Sequence, residues 1–179
     1  MFITIAGDLG SGKSSVGKLL SDKLGYKFFS VGTLMRELGT EKGMSIHEIQ
    51  KAAEKSKEID ILLDERQVAL GKKYSDLIFD SRLGWHFIPD SIKIFLRVDI
   101  DEAAKRIFNA KRDSEKENDS LEATKENIIS RKASETKRYK EYYNLDYSLP
   151  ENFDLVVDTT NISIEEAAKK ILDYLSTLN

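Results

Sequence analysis

A three-layer α/β fold around a five-stranded parallel sheet is what this sequence predicts. Three observations carry the expectation. Short apolar runs recur at residues 2–6, 26–30, 77–80, 92–98 and 155–158. Helical periodicity fills the intervals between them. A glycine-rich turn, Gly7-Asp8-Leu9-Gly10-Ser11-Gly12-Lys13-Ser14, joins the first run to the first helix. Strands that alternate with helices form a parallel sheet covered on both faces. Ligands in such folds gather at the C-terminal edge of the sheet.

Each element has its own signal. Phe2-Ile3-Thr4-Ile5-Ala6 reads as a buried strand. The stripe Val16, Leu19, Leu20, Leu24 makes 13–24 a helix, and Gly25 ends it. Tyr26–Ser30 is the second strand. Thr33 is the expected cap of a helix running to about 42, and Gly43 interrupts it. Ser45-Ile46-His47-Glu48 fits a capping box. Ile59, Leu62 and Leu63 continue a helical pattern from about 58 to 70. Leu77–Asp80 and Ile92–Val98 are strands, and Asp99 or Asp101 caps a helix at about 101–111. Lys111 to Ser120 is highly charged and reads as a lid or loop. A long helix follows over about 121–143, then the strand Leu155–Asp158. Ser163-Ile164-Glu165-Glu166 is a second capping box, opening the last helix, whose buried face carries Ala167, Ala168, Ile171, Leu172 and Leu175. The whole is one domain, 1–179, without an internal repeat.

Composition removes several functions. There is no cysteine, so a disulfide framework, a thiolate zinc site and a cysteine nucleophile are excluded. The two histidines, His47 and His86, are too few for a histidine metal cluster and read as surface or capping residues. Net charge is −3, which does not advertise a nucleic-acid surface. No apolar run approaches the roughly 20 residues that span a bilayer, and no signal peptide opens the chain. A cytoplasmic enzyme, a monomer with no membrane or nucleic-acid partner, is expected.

The glycine-rich turn has the P-loop pattern: Gly, four residues, Gly-Lys-Ser. The strand before it and the helix after it supply the context that the motif needs. Successive backbone N–H groups converge there on one anion, and the helix N-terminus adds its dipole. Gly7, Asp8, Leu9, Gly10, Ser11, Gly12, Lys13, Ser14 and Ser15 are therefore the donor-binding candidates. Lys13 reaches the terminal phosphates of a nucleoside triphosphate, and Ser14 ligates Mg²⁺. Asp8 is anomalous, because a carboxylate facing a bound phosphate is unfavourable. Asp80 ends an apolar strand as a Walker B acid does, and orients Mg²⁺ or a substrate hydroxyl. Asn109-Ala110-Lys111-Arg112-Asp113 does not match a guanine-reading motif, which excludes a GTPase. Arginine forks suit phosphate oxygens. Arg36 and Arg82 stand out because each follows a strand end. Arg131 and Arg138 share one helix face.

These segments together resemble the cytidylate kinases. The resembling stretches are Gly7–Ser14, Phe29-Ser30-Val31-Gly32-Thr33-Leu34-Met35-Arg36, Phe79-Asp80-Ser81-Arg82-Leu83-Gly84-Trp85, Ile92–Leu96, Arg131–Lys140 and Phe153–Thr160. The likeness covers nearly the whole chain in order, and is nearest to the compact form of the family. It implies the P-loop kinase fold, with a helical acceptor-binding region at about 31–70 and a short lid at about 111–122. It implies transfer of the γ-phosphoryl group of ATP to CMP or dCMP, with Mg²⁺. Ser30, Gly32, Arg36, Asp80, Arg82, Arg131, Glu135 and Arg138 are then the acceptor-side residues. Lys13, Arg112 and Arg131 are the catalytic ones, and Thr160 lies near the donor base.

Some positions depart from the pattern. Asp8 replaces an uncharged residue. Leu83 stands where longer relatives carry an acid, and Ser134 where they often carry arginine. These departures bear on base and sugar preference more than on phosphoryl transfer. Two alternatives remain at the level of sequence. One is a P-loop kinase acting on another monophosphate or a small metabolite. The other is an ATPase partner protein, since Gly-Asp-Leu-Gly also occurs in ATPases that assist transfer-RNA modification. The acceptor-side arginines argue against the ATPase, which needs no second nucleotide site. Trp85, Met35, Met44 and the tyrosines at 139, 142 and 143 read as packing residues.

Overall fold

The computed structural model describes residues 1–110 and 119–178, with the side chains of Ile46 and His47 outside that description. Five strands form one parallel sheet: β1 (Phe2–Gly7), β2 (Lys27–Ser30), β3 (Leu77–Asp80), β4 (Ile92–Arg97) and β5 (Leu155–Asp158). Their order is β2-β3-β1-β4-β5. The helices are α1 (Lys13–Leu24), α2 (Val31–Glu41), α3 (Ile46–Lys55), α4 (Glu58–Lys73), α5 (Gly84–Phe87), α6 (Ile100–Ala110), α7 (Leu121–Tyr143) and α8 (Ile164–Ser176).

Period two along the strands divides the core between the two faces of the sheet. Ile3, Ile5, Ile78, Ile94 and Leu96 pack with Val16 and Leu20 of α1 and with Ala168 and Ile171 of α8. Leu77 and Phe79 point the other way, into Leu34, Leu38, Ile49, Ile59 and Leu63 of α2, α3 and α4. Burying each of the large side chains contributes about 1.5–3 kcal/mol. That burial on both faces holds the sheet and leaves its C-terminal edge free for chemistry. Register sets that edge: Ile5 and Ser30 each pair with Asp80, Gly7 with Leu96, and Arg97 with Asp158.

Local signals read from sequence are realised in detail. Both capping boxes form: Ser45 Oγ accepts from Glu48 N (3.2 Å), and Ser163 Oγ from Glu166 N (3.1 Å). The reciprocal carboxylate bonds are 2.7 Å in each. Gly25 ends α1 in the left-handed region, φ 71°. Asp99, not Asp101, caps α6, its Oδ1 accepting from Asp101 N (2.9 Å) and Glu102 N (3.3 Å).

One cap is misplaced in the sequence reading. Helix α2 starts at Val31, directly after β2, with Ser30 at the N-cap. Thr33 therefore lies in the first turn, where its Oγ1 accepts from Arg36 Nη2 (3.2 Å). The strand runs into the helix without a loop, so no separate capping residue is needed. Ser30 makes no capping bond, because its hydroxyl is spent on Asp80 (3.1 Å). Helix α5 was not expected either; at four residues it is too short to show a period.

Candidate active site

The P-loop wraps from β1 into α1, and its glycines are forced by close approach. Gly7 has φ 149°, and a Cβ there would lie 2.2 Å from the Leu96 carbonyl oxygen. Gly10 has φ 76° and packs on Ala103 of α6, where a Cβ would come within 2.9 Å of its Cα. The loop is thus pressed between β4 and α6, and only a residue without a side chain fits at either point. Ser11, buried, closes the turn by donating from Oγ to the Asp8 carbonyl (2.8 Å).

Lys13 folds back over this loop. Its Nζ donates to the Gly7 carbonyl (2.9 Å) and the Asp8 carbonyl (2.5 Å). Burial pushes its pKa down to about 8, and the positive charge of Arg82 pushes the same way; Asp80, Glu135 and Asp8 oppose them. Ser14 Oγ donates to Asp80 Oδ2 (2.5 Å), which also accepts from Ser30 Oγ. Asp80 therefore links the helix after the P-loop to the end of β2. Ser14 and Asp80 offer two hard oxygens side by side, the donor type that Mg²⁺ takes when phosphates and waters complete its shell. No cluster of three or more His, Cys, Asp or Glu able to hold a metal exists among the described residues.

Asp8 faces away from the anion site. Its Oδ1 pairs with Lys132 Nζ of α7 (3.0 Å), and its Oδ2 accepts from Val98 N (3.3 Å). On the neighbouring side, the segment after β5 lies against the loop. The Thr159 hydroxyl is within reach of the Ser11 carbonyl (3.1 Å) and the Arg97 carbonyl (2.9 Å). Thr160 Oγ1 accepts from Asp99 N (2.9 Å). Arg106 of α6 ties this segment down, with Nη2 donating to the carbonyls of Thr159 (2.7 Å) and Thr160 (3.1 Å).

A buried charge cluster forms the opposite side. Glu135, on α7, pairs through Oε2 with Arg82 Nε and through Oε1 with Arg131 Nε (3.1 Å). Burial would raise the Glu135 pKa, but Arg82, Arg131 and Arg138 pull harder, and it lies below the usual carboxylate range. Burial likewise works against the Arg82 charge, and Glu135, Tyr139, Tyr147 and Asp80 together outweigh it, holding its pKa above the usual guanidinium value. One turn further along α7, Arg138 Nη1 meets both oxygens of Asp60 on α4 (3.1 and 2.9 Å). Arg138 stacks over the Tyr139 ring at 5.8 Å. Its Nε is buried without a hydrogen-bond partner among the described residues.

The expected residues thus fall into groups. Gly7 to Ser14, Asp80, Ser30 and Thr160 meet at the sheet edge. Arg82, Arg131 and Glu135 form one cluster, with Arg138 beside it. Ser15 is exposed on the first turn of α1. Gly32 lies between Ser30 and Arg36: a Cβ there would sit 3.5 Å from Ser30 Oγ and 3.8 Å from Arg36 Nη1. Arg36 itself is exposed on α2 and bonds to Thr33. Arg112 and most of the expected lid, 111–122, lie outside the described residues. Trp85 packs, as expected: its Nε1 donates to the Arg82 carbonyl (2.9 Å) and its ring meets Phe153 edge-on.

Sequence reasoning missed Asp60, Lys132 and Arg106 as parts of the site. Asp60 had a usable signal. Asp60, Asp64 and Gln67 recur at helical spacing in α4, and a polar stripe beside Ile59 and Leu63 needs partners. All three find them: Tyr143 donates from its hydroxyl to Asp64 Oδ2, and Ser81 Oγ to Gln67 Oε1 (2.6 Å). Burial lifts the Asp64 pKa to about 6. Lys132 and Arg106 had no signal, since one lysine or arginine on an exposed helix face looks like any other.

A parallel sheet of order β2-β3-β1-β4-β5, with a P-loop between β1 and α1, defines a P-loop kinase. Solved structures agree on the fold. Shikimate kinase from Bacteroides thetaiotaomicron superposes with a TM-score of 0.70 at 14% identity, covering 98% of both chains. Deoxyadenosine kinase from M. mycoides gives 0.57 at 20% identity, covering 98% of this chain and 100% of that one. Sequence relatives go further. The model of the cytidylate kinase-like family matches residues 2–161. A cytidylate kinase of Methanobrevibacter smithii is 36% identical over 178 residues, 99% of this chain and 100% of its own length. A cytidylate kinase of Sulfurisphaera tokodaii is 37% identical, covering 98% of this chain and 96% of its own. An S-adenosylmethionine-dependent nucleotide dehydratase of Lacinutrix mariniflava is 34% identical over 99% of this chain, which spans 36% of that protein's length. The chain belongs to the cytidylate kinase-like family. It is a nucleoside monophosphate kinase, and no helix among its described residues is long and apolar enough to cross a membrane.

Proposed function

We propose that this enzyme transfers the γ-phosphoryl group of ATP to CMP or dCMP, giving ADP and the pyrimidine nucleoside diphosphate. One observation supports it above the others. Asp80 at the end of β3 accepts from Ser14 Oγ of the P-loop helix, and Arg82, two residues further on, pairs with Glu135, which also holds Arg131. The donor cradle and the arginine cluster are therefore tied to the same edge of the sheet, as transfer between two bound phosphates requires.

The residues divide the work. P-loop N–H groups and Lys13 take the β- and γ-phosphates, Lys13 leaving the Gly7 and Asp8 carbonyls to do so. Mg²⁺ arriving with ATP supplies charge neutralisation, and Ser14 with Asp80 is the pair fitted to hold it. The acceptor monophosphate is already ionised, so its oxygen attacks the γ-phosphorus without a general base. Positioning and charge stabilisation then carry catalysis. Arg82, Arg131 and Arg138, with Arg36 from α2, are the acceptor's phosphate ligands. Glu135 holds two of those guanidinium groups in place, and the unpaired Arg138 Nε is a donor in reserve. Thr160 borders the donor base, and Arg112 closes with the lid to exclude water.

A panel assay tests the reading. ADP release is measured with CMP, dCMP, UMP, AMP, GMP and no acceptor. CMP or dCMP is expected to give the highest kcat/KM. Equal release without acceptor would show an ATPase instead.

Lys13 also predicts a pH profile. Only the ammonium form binds phosphate, and in the free enzyme it titrates at about 8. With CMP held well below saturation, kcat/KM for ATP falls as pH rises through about 8, approaching roughly tenfold per pH unit. A flat profile from pH 7 to 9.5 would contradict that placement of the amine.

A further inference from the structure

Phosphate binding leaves one charge in the P-loop unused. Asp8 lies within a loop built to receive a polyanion, where an uncompensated carboxylate opposes binding. Its side chain is 17% exposed and meets Lys132 and the Val98 N–H. Its backbone meanwhile fixes the loop: Asp8 N donates to the Leu96 carbonyl (2.9 Å), and its own carbonyl accepts from Lys13 and Ser11. Displacing Asp8 would therefore displace the carbonyl on which Lys13 rests. Lys132 follows Arg131 on α7, so adjacent residues serve the Glu135 cluster and the donor loop.

We propose that Lys132 is a positioning residue for the donor: it neutralises Asp8 and anchors that carboxylate against α7, so that the loop offers the triphosphate only N–H and ammonium groups. The proposal rests on the reading of this loop as the ATP site. Lys132 is half exposed. With its lysine half exposed, the pair adds little to stability, so loss of Lys132 acts on binding more than on folding.

The test uses the full chain and isothermal titration with ATP at low salt, beside steady-state kinetics. Lys132→Met is expected to weaken ATP binding on the order of tenfold, the scale of one uncompensated charge near the phosphates at an effective dielectric of about 20. The loss shrinks as salt rises, while the acceptor KM stays within about twofold. Asp8→Asn combined with Lys132→Met removes both charges and restores ATP affinity to within about twofold of wild type. An unchanged ATP Kd in Lys132→Met, or a double variant that binds no better than Lys132→Met, overturns the proposal. If the wild-type chain itself fails to bind ATP, the donor-site reading falls and this proposal with it. If wild type binds and Lys132→Met matches it, the proposal alone falls.

Discussion

Lys13→Ala is expected to lower kcat about 10²–10³-fold, the cost of removing one preorganised donor to the developing charge, without unfolding the enzyme. The two effects separate because of where the amine sits. Its bonds go to the carbonyls of Gly7, the last residue of β1, and Asp8, the first of the loop, and its side chain packs in neither hydrophobic cluster. Burial makes the ammonium costly in the free protein and lowers its pKa from 10.5 to about 8. Between those values the unfolded chain binds more protons than the folded one. The Lys13 contribution to wild-type stability therefore rises with pH from about 8 to 10.5, and Lys13→Ala lacks that contribution, so the stability difference between the two proteins changes across this range. Denaturant melts of both proteins at pH 7.5 and 10 check the stability half, and single-turnover kinetics the catalytic half. A variant that turns over like wild type would remove Lys13 from the mechanism.

Glu135→Ala is expected to damage stability and activity together. Its carboxylate is buried and holds Arg82 and Arg131. Truncation leaves the Arg82 guanidinium, also mostly buried, without its counter-charge. Breaking a buried pair in this way costs about 3–5 kcal/mol, or on the order of 10 °C in Tm for a chain of this size. Acceptor KM rises as well, since Arg82 and Arg131 lose their common orienting partner. Acid has a milder form of the same effect. The folded pKa of Glu135 is depressed, so its contribution is present above its ordinary 4.5 and lost as pH falls through the folded value. Thermal melts with CMP saturation kinetics check the prediction; an unchanged Tm would show that the cluster is solvated and carries no structural charge.

The sequence made the arginines visible but not their burial. What was legible was local. The P-loop, the capping boxes at Ser45 and Ser163, and α1 and α7 depend on neighbours within a few residues. So did Asp80, because a strand-end acid after a P-loop strand has few other places to be. Arg131 and Arg138 were legible as one face of α7, and Glu135 between them came from the family resemblance. Contacts set by packing between distant elements were not. Arg138 finds Asp60 across 78 positions, and Lys132 finds Asp8 across 124. Only the approach of α7 to α4 and to the loop after β1 creates them. Thr33 failed as a cap for a related reason: β2 and α2 abut, and Asp80 had already taken the Ser30 hydroxyl.

The central claim is that donor cradle and arginine cluster are the two halves of one phosphoryl-transfer site. Label transfer tests it most directly. The enzyme is mixed with ATP carrying a radioactive γ-phosphoryl group and with CMP, and the products are separated. The label is predicted to appear in CDP, in step with ADP, and to be lost from CDP in Lys13→Ala. Label released as inorganic phosphate at the same rate with or without CMP would contradict the account.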